Sequence, residues 1–240
     1  MRKLLIILTF VLFPLAVMAQ DTDLFGQYKA SSASGLPLYR GKTATKYSFS
    51  YNGVYTWDRG GFRTGDLVFA GKLYKALQMN INAHLQTLLV YDPENYTTVD
   101  LGNTEVEEFS LGTEVFKNLS AKGYKLPKGF YKVIYEGEES VYERIDKEFI
   151  RDVHSSNDGT IGYKDPDYKE GVFEFFAQHR CFYYIGKEGK PEKFTNPKLL
   201  LGKHKDKKKA IRKMLKENRL NDADYAVKCL EIMKFIEHAQ

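Results

Sequence analysis

The chain reads as a mainly β protein: an antiparallel meander, barrel or sandwich with a C-terminal α-helical hairpin. Three observations predict this class. Between residues 45 and 195, short runs of Tyr, Phe, Val, Ile and Thr alternate with polar residues and are separated by Gly, Asn and Asp, the period-2 pattern of strands. The runs recur every 8–15 residues with no helical segment between them, which favours antiparallel pairing over βαβ units. From residue 196 the apolar spacing becomes helical.

The elements follow in chain order. Arg2 and Lys3 precede an apolar run from Leu4 to Val17, and Val17-Met18-Ala19 places small residues three positions and one position before a cut ahead of Gln20. This is the order of a secretory signal peptide over 1–19. The run is shorter than the roughly 20 apolar residues of a spanning helix, and no later segment has that length, so no transmembrane span is expected after cleavage. Residues 20–44 are mixed and rich in Ser, Gly and Ala, and read as a loosely ordered opening segment. Strands are predicted at 67–69, 72–81, 85–91, 97–101, 106–111, 114–119, 130–135, 141–150, 172–178 and 181–185. Turns are predicted at Ala70-Gly71, Asn82-Ala83-His84 and 136–139, and a long loop at 152–171. In 45–57, Asn52-Gly53 signals a hairpin because both residues tolerate positive φ. Pro197 opens a short turn, a helix covers 207–218, and a last helix covers about 222–237. Asn221 has the character of its N-cap, with Asp224 three residues on and Leu220 and Tyr225 as a staple. The domains expected are a β domain over 45–195 and a helical hairpin over 196–240 packed on it.

Composition removes several function classes. With 43% apolar residues the 240-residue chain can build a core, which excludes a wholly disordered protein. Two cysteines are too few for a disulfide scaffold or a four-cysteine zinc site. The formal charge of +5 falls to +3 when the leader takes Arg2 and Lys3 with it, too small to argue nucleic-acid binding. Export would place Cys181 and Cys229 in an oxidising compartment, where they form a disulfide or remain two buried thiols.

Catalytic motifs are missing. The five histidines form no His-x-His or His-Glu-x-x-His set, and His179-Arg180-Cys181 is the only close His/Cys pair. There is no Gly-x-Ser-x-Gly, no Ser-x-x-Lys of the penicillin-binding type and no glycine-rich phosphate loop. Asn157-Asp158-Gly159 and Asp165-Pro166-Asp167 lack EF-hand spacing and are explained by turn chemistry. No cofactor and no metal are expected.

Two surfaces remain. If Asn52-Gly53 turns, Tyr47, Phe49, Tyr51 and Val54 share a core side, and Tyr55 and Trp57 form a mixed shelf beside Ser48 and Ser50. Such a shelf suits sugar rings or a protein partner, or is a second covered face. Residues 202–219 carry nine Lys/Arg opposed only by Asp206 and Glu217. Lys205, Lys207, Lys208, Lys209 and Arg212 form a candidate basic contact surface for anionic lipid, acidic glycan or protein, or a solvated face whose stems cover an apolar stripe.

The arrangement resembles an uncharacterised family of exported proteins of Bacteroides-type Gram-negative bacteria. The resemblance rests on the leader, on the unit Leu67-Val-Phe-Ala-Gly-Lys-Leu-Tyr74, on Leu88-Leu-Val-Tyr91, Phe130-Tyr-Lys-Val-Ile-Tyr135 and Cys181-Phe-Tyr-Tyr-Ile185, and most closely on the tail from Asp206 to Leu220. It implies a secreted, mostly β protein with no assigned activity and transfers no functional residue. The expected function is an exported, periplasmic or cell-surface binding or scaffold module of the cell envelope. Its partner would be an envelope protein or glycan, not nucleic acid. A glycan-acting hydrolase and a membrane-surface protein are the alternatives.

Overall fold

The computed structural model describes residues 37–59, 61–151 and 174–238. The leader over 1–19, residues 20–36 of the opening segment and the loop over 152–171 lie outside them. The chain divides into two compact units, Met1–Arg40 and Gly41–Gln240. In the first, the described part is one 3-10 turn, Pro37–Arg40.

The second unit holds β1 (Lys42–Thr43), β2 (Arg63–Phe69), β3 (Lys72–Asn82), β4 (Thr87–Asp92), β5 (Thr97–Leu101), β6 (Val106–Leu111), β7 (Glu114–Lys117), β8 (Tyr131–Tyr135), β9 (Ser140–Ile150), β10 (Phe175–Ile185) and β11 (Pro191–Phe194). All pair antiparallel in one sheet, in the order β1-β5-β4-β3-β2-β6-β7-β8-β9-β10-β11. The expected antiparallel β class is correct. The sheet is single and does not close, so it is neither a sandwich nor a closed barrel. It is two meanders, β2–β5 and β6–β11, joined where β2 pairs with β6 (Leu67 opposite Phe109, Val68 opposite Glu108). Gly65 makes that seam possible: a Cβ there would stand 1.8 Å from the Ser110 carbonyl oxygen. Across the seam the Asp66 amide donates to Ser110 Oγ at 2.9 Å. At its far end β3 turns back onto β9, with the Lys147 amide donating to the Ala83 carbonyl at 3.0 Å and Gln86 Nε2 to the Ile145 carbonyl at 2.9 Å.

Two predicted elements change. The hairpin at Asn52-Gly53 does not form, although Gly53 takes φ +75°. Longer strands capture its backbone instead: Trp57 N donates to Ile81 O, Ala83 N to Tyr55 O, Asn52 N to Glu174 O and Phe176 N to Asn52 O, all within 3.0 Å. The runs 172–178 and 181–185 are not a pair of strands. Phe175–Ile185 is one strand, and its polar middle is held by partners rather than turned: His179 meets Glu148 and Arg180 meets Glu143 and Asp224.

Three helices follow where two were expected: α1 (Lys198–Lys203), α2 (Lys208–Glu217) and α3 (Tyr225–His238). They belong to the same unit as the sheet. Asp224, not Asn221, caps α3, its Oδ1 accepting from the Ala226 amide at 2.8 Å. Helix α2 ends in a Schellman arrangement. Leu220 N donates to Leu215 O and Arg219 N to Lys216 O, with Arg219 at φ +55° in the place glycine usually takes. Ile211, Leu215, Cys229, Ile232, Met233 and Ile236 of the helices pack on Val141, Phe182, Tyr184 and Phe194. The alternate residues of β10, Cys181, Tyr183 and Ile185, face the other way, into a cluster with Leu119, Tyr131 and Tyr142.

On the helix side of the sheet a line of alternating charge crosses five strands and their flanks: Asp58, Arg63, Glu114, Lys132, Glu143, Arg180 and Asp224. Arg63 reaches Glu114 at 3.2 Å and Lys132 lies 3.9 Å from Glu143. The Glu143 side chain is 3% exposed, so its charge depends on Arg180 and Lys132 beside it. Arg180 also forks onto Asp224 at 2.5 and 2.7 Å, tying β10 to the start of α3. Among the described residues no helix is long and apolar enough to cross a membrane.

Candidate functional site: an aromatic groove

The segment between β1 and β2 does not join the sheet as a strand, and it leaves a groove of about 760 Å³ along β3–β5. Such a volume lies inside the span of about 300–1,000 Å³ typical of small-molecule sites. One wall is the chain from Thr43 to Thr56; the other side is formed by Asn80, Leu89, Tyr96, Thr97 and Thr98, with Gly61 and Phe62 at one end. Asn80 and Leu89 are opposite each other in the β3–β4 register and alternate with the buried Met79, Leu88 and Val90, so they stand on the opposite face of the sheet from those core residues. Asn80 is itself buried and fixes the loop above it, donating through Nδ2 to the carbonyls of Gly61 (2.6 Å) and Asp58 (3.1 Å).

The wall is rigid because its tyrosines pack on one another. The Tyr47 ring lies 4.8 Å from Tyr55, 5.2 Å from Phe176 and 5.8 Å from both Phe49 and Tyr51. Phe149 and Phe176 extend the cluster behind it, 5.0 Å apart. Edge-on contacts of this kind stabilise by about 0.5–1.5 kcal/mol each beyond their buried area. Burial pushes the Tyr47, Tyr51 and Tyr55 phenols above their ordinary value, so all three are neutral donors at physiological pH. Among the described residues Lys46 is the one charged side chain in the lining, and no described carboxylate lines it.

Three rings face outward around this groove. Phe49 and Phe62 are each 38% exposed and Tyr96 is 84% exposed. Among the described residues the one other exposed Phe, Tyr or Trp is Tyr225 on α3. Exposed aromatics are thus gathered at one place. Tyr96 also takes φ +50°, a conformation a bulky side chain seldom adopts. The turn that imposes it is tightly bonded: Asp92 accepts from the Glu94 amide at 3.0 Å and from Asn95 Nδ2 at 2.7 Å.

The residues singled out in the sequence separate. Tyr55 is in the groove wall. Trp57 is not: its half-buried ring stacks edge-on against Phe116 at 5.0 Å, so the Tyr55–Trp57 shelf does not exist. Cys181 and Cys229 are both free and buried, and they lie in the clusters on opposite sides of β10. A bond between them would have to pass through the sheet, which corrects the disulfide reading. Burial raises both thiols, Cys229 to about 12, so neither is a thiolate at neutral pH. In the basic stretch Lys205, Lys209 and Arg212 face solvent, whereas Lys207 and Lys208 are half-buried and Lys207 Nζ donates to the Ile236 carbonyl at 3.2 Å. Helix α2 has no acidic residue in its first turn, so its lysines oppose the helix dipole there. His179 is exposed against Glu148, while Cys181 two residues on is buried. Among the described residues no group of three His, Cys, Asp or Glu could hold a metal ion.

Phe62 and Tyr96 were missed in the sequence. The signal that could have found Tyr96 is a bulky aromatic at the αL position of Asp92-Pro-Glu-Asn-Tyr96, a tight turn where glycine or asparagine is the favoured residue. Phe62 carries no such signal, since one aromatic before a strand is ordinary. No family model matches the chain, and no curated protein or solved structure is similar to it.

Proposed function

We propose that this chain is an exported cell-envelope binding module whose ligand lies in the aromatic groove. The observation that supports it most is the gathering of three exposed rings around a hydroxyl-rich cleft with a single lysine among its described liners. Export is inferred from the charged, apolar and small-residue order of residues 1–19, and the resemblance to exported Bacteroides-type proteins agrees with it. Glycoside hydrolysis would need two carboxylates facing one cleft, and among the described residues the groove lining holds none. The test is a thermal-shift screen of the chain from Gln20 onward against neutral glycans, acidic glycans and peptides, with products analysed after incubation. A ligand at about one hundred times its Kd adds about 2.7 kcal/mol, or roughly 5–10 °C in Tm. Saturable shifts without turnover support a binding module; a ligand cleaved or modified would replace it with an enzyme.

A second reading has its own observation. Lys205, Lys209 and Arg212 are exposed together at and around the start of α2. They would hold the module against an anionic membrane surface. Sedimentation with anionic vesicles at low and high salt tests this, and binding that ignores salt would remove it.

A further inference from the structure

We infer that the groove takes a neutral oligosaccharide, stacked on Tyr96 and Phe62 and hydrogen-bonded by threonine and serine hydroxyls of the lining. The inference rests on the binding-module reading and narrows its ligand.

The chemistry of the lining selects the class. Sugar rings present apolar C–H faces and a rim of hydroxyls, so they need flat rings beside uncharged groups that both donate and accept. Tyr96 and Phe62 supply exposed rings, at 84% and 38% exposure. Thr97, Thr98, Ser48 and Ser50 line the same groove, and hydroxyl groups both donate and accept. Asn80 supports the groove rather than the ligand, since its amide is bonded to Gly61 and Asp58. Among the described residues a nucleic acid or acidic glycan would meet Lys46 alone of the charged liners, too little for a polyanion. A lipid would strand the threonine and serine hydroxyls without partners.

The backbone at Tyr96 is the second, independent line. A tyrosine held at φ +50° in a bonded turn, and 84% exposed, contributes almost nothing to the core and strains the chain locally. Strain of that kind is retained where a side chain must be displayed at a fixed place. Rigid display suits stacking, since the ring loses little freedom when the ligand arrives.

The experiment is titration calorimetry of the chain from Gln20 onward with neutral oligosaccharides (gluco-, manno- and xylo-hexaoses), a polyuronic acid hexamer and an unrelated hexapeptide. Tyr96→Asn is the first variant, because asparagine accepts the αL conformation and the fold is kept. Phe62→Ala is the second, and Tyr225→Ala, an exposed ring on α3, is the control. We expect saturable binding of at least one neutral hexaose, weakened about fivefold or more by each groove variant and unchanged by the control. Binding of the peptide or the acidic hexamer alone, lost in the groove variants, overturns the saccharide and leaves the binding module standing. Binding that neither groove variant alters, or no binding to any probe, overturns both.

Discussion

Two segments outside the strands cover this sheet, and they do so differently. The C-terminal helices lay apolar side chains at helical spacing onto β8–β11 and bury the centre of that contact: Leu200, Ile211, Cys229 and Ile232 are all 0% exposed. The β1–β2 connection crosses β3–β5 without regular structure. Its rings pack against one another, and a groove remains beside them. The charges follow the same division. On the helix side an acid as buried as Glu143 is answered by Arg180 and Lys132, whereas among the described residues the groove lining offers one lysine and no acid. The lesson is that a periodic cover seals a sheet, while an aperiodic one holds its shape through aromatic contacts and leaves space for a ligand.

The comparison breaks most completely at the seam between the two meanders. Gly65→Ala places a methyl on the Ser110 carbonyl and should separate β2 from β6, costing about 3 kcal/mol or more. Denaturant unfolding measures this, and a loss below 1 kcal/mol would show that the seam adapts. Next in size is Glu143→Ala on the sealed side. It leaves Arg180 and Lys132 without their buried acid and should cost about 3 kcal/mol. The same assay on Tyr96→Asn at the groove should move stability by about 0.5 kcal/mol or less, in the stabilising direction. Equal losses at the two sites would abolish the distinction drawn here.

The acid limb sharpens the sealed side further. Asp224 is held down to about 2, first by the Arg180 fork and then by the Ala226 amide. Its folded value lies below the ordinary carboxylate value of about 4. Its contribution is therefore complete above that value and is lost as pH falls through about 2. Half exposure limits it to about 0.5–1 kcal/mol. Asp224→Asn should be less stable than the wild type at pH 6, and the gap should close at pH 2; a constant gap would assign the effect to something other than charge. An effect of similar size but opposite sign is expected at the end of α2, where Arg219→Gly relieves a left-handed residue and should add about 0.5–1 kcal/mol. A thermal melt that falls instead would mean that the arginine side chain contributes more than its backbone strain removes.

Strand existence was largely legible because alternation is a local property. The runs at 97–101 and 106–111 coincide with β5 and β6, and a turn stands at Ala70-Gly71, whereas the turn expected at Asn82-Ala83-His84 lies at 83–86, after Asn82 has ended β3. The hairpin at Asn52-Gly53 failed because a local turn signal competes with distant strand ends, and Ile81, Ala83 and Phe176 offered better partners. The shelf failed with it, since its faces were derived from that hairpin. Tyr55 and Trp57 are two residues apart in the chain, yet one lines the groove and the other packs on Phe116. The cysteines stayed open between a disulfide and two buried thiols for a similar reason: spacing carries no information on which face of a strand meets a helix 48 positions later.

By itself the sequence determined the antiparallel β class, most strand and helix positions, the basic character of α2 and the absence of familiar catalytic motifs, because periodicity, turn chemistry and charge act between near neighbours. Tertiary structure alone decided that the sheet is single and open, that β2 joins β6, that the two thiols stand apart, and that Phe62 and Tyr96 meet across a groove. Those outcomes depend on which distant backbone groups find each other, and pairing energy between strands is nearly the same for many alternatives until side-chain packing selects one.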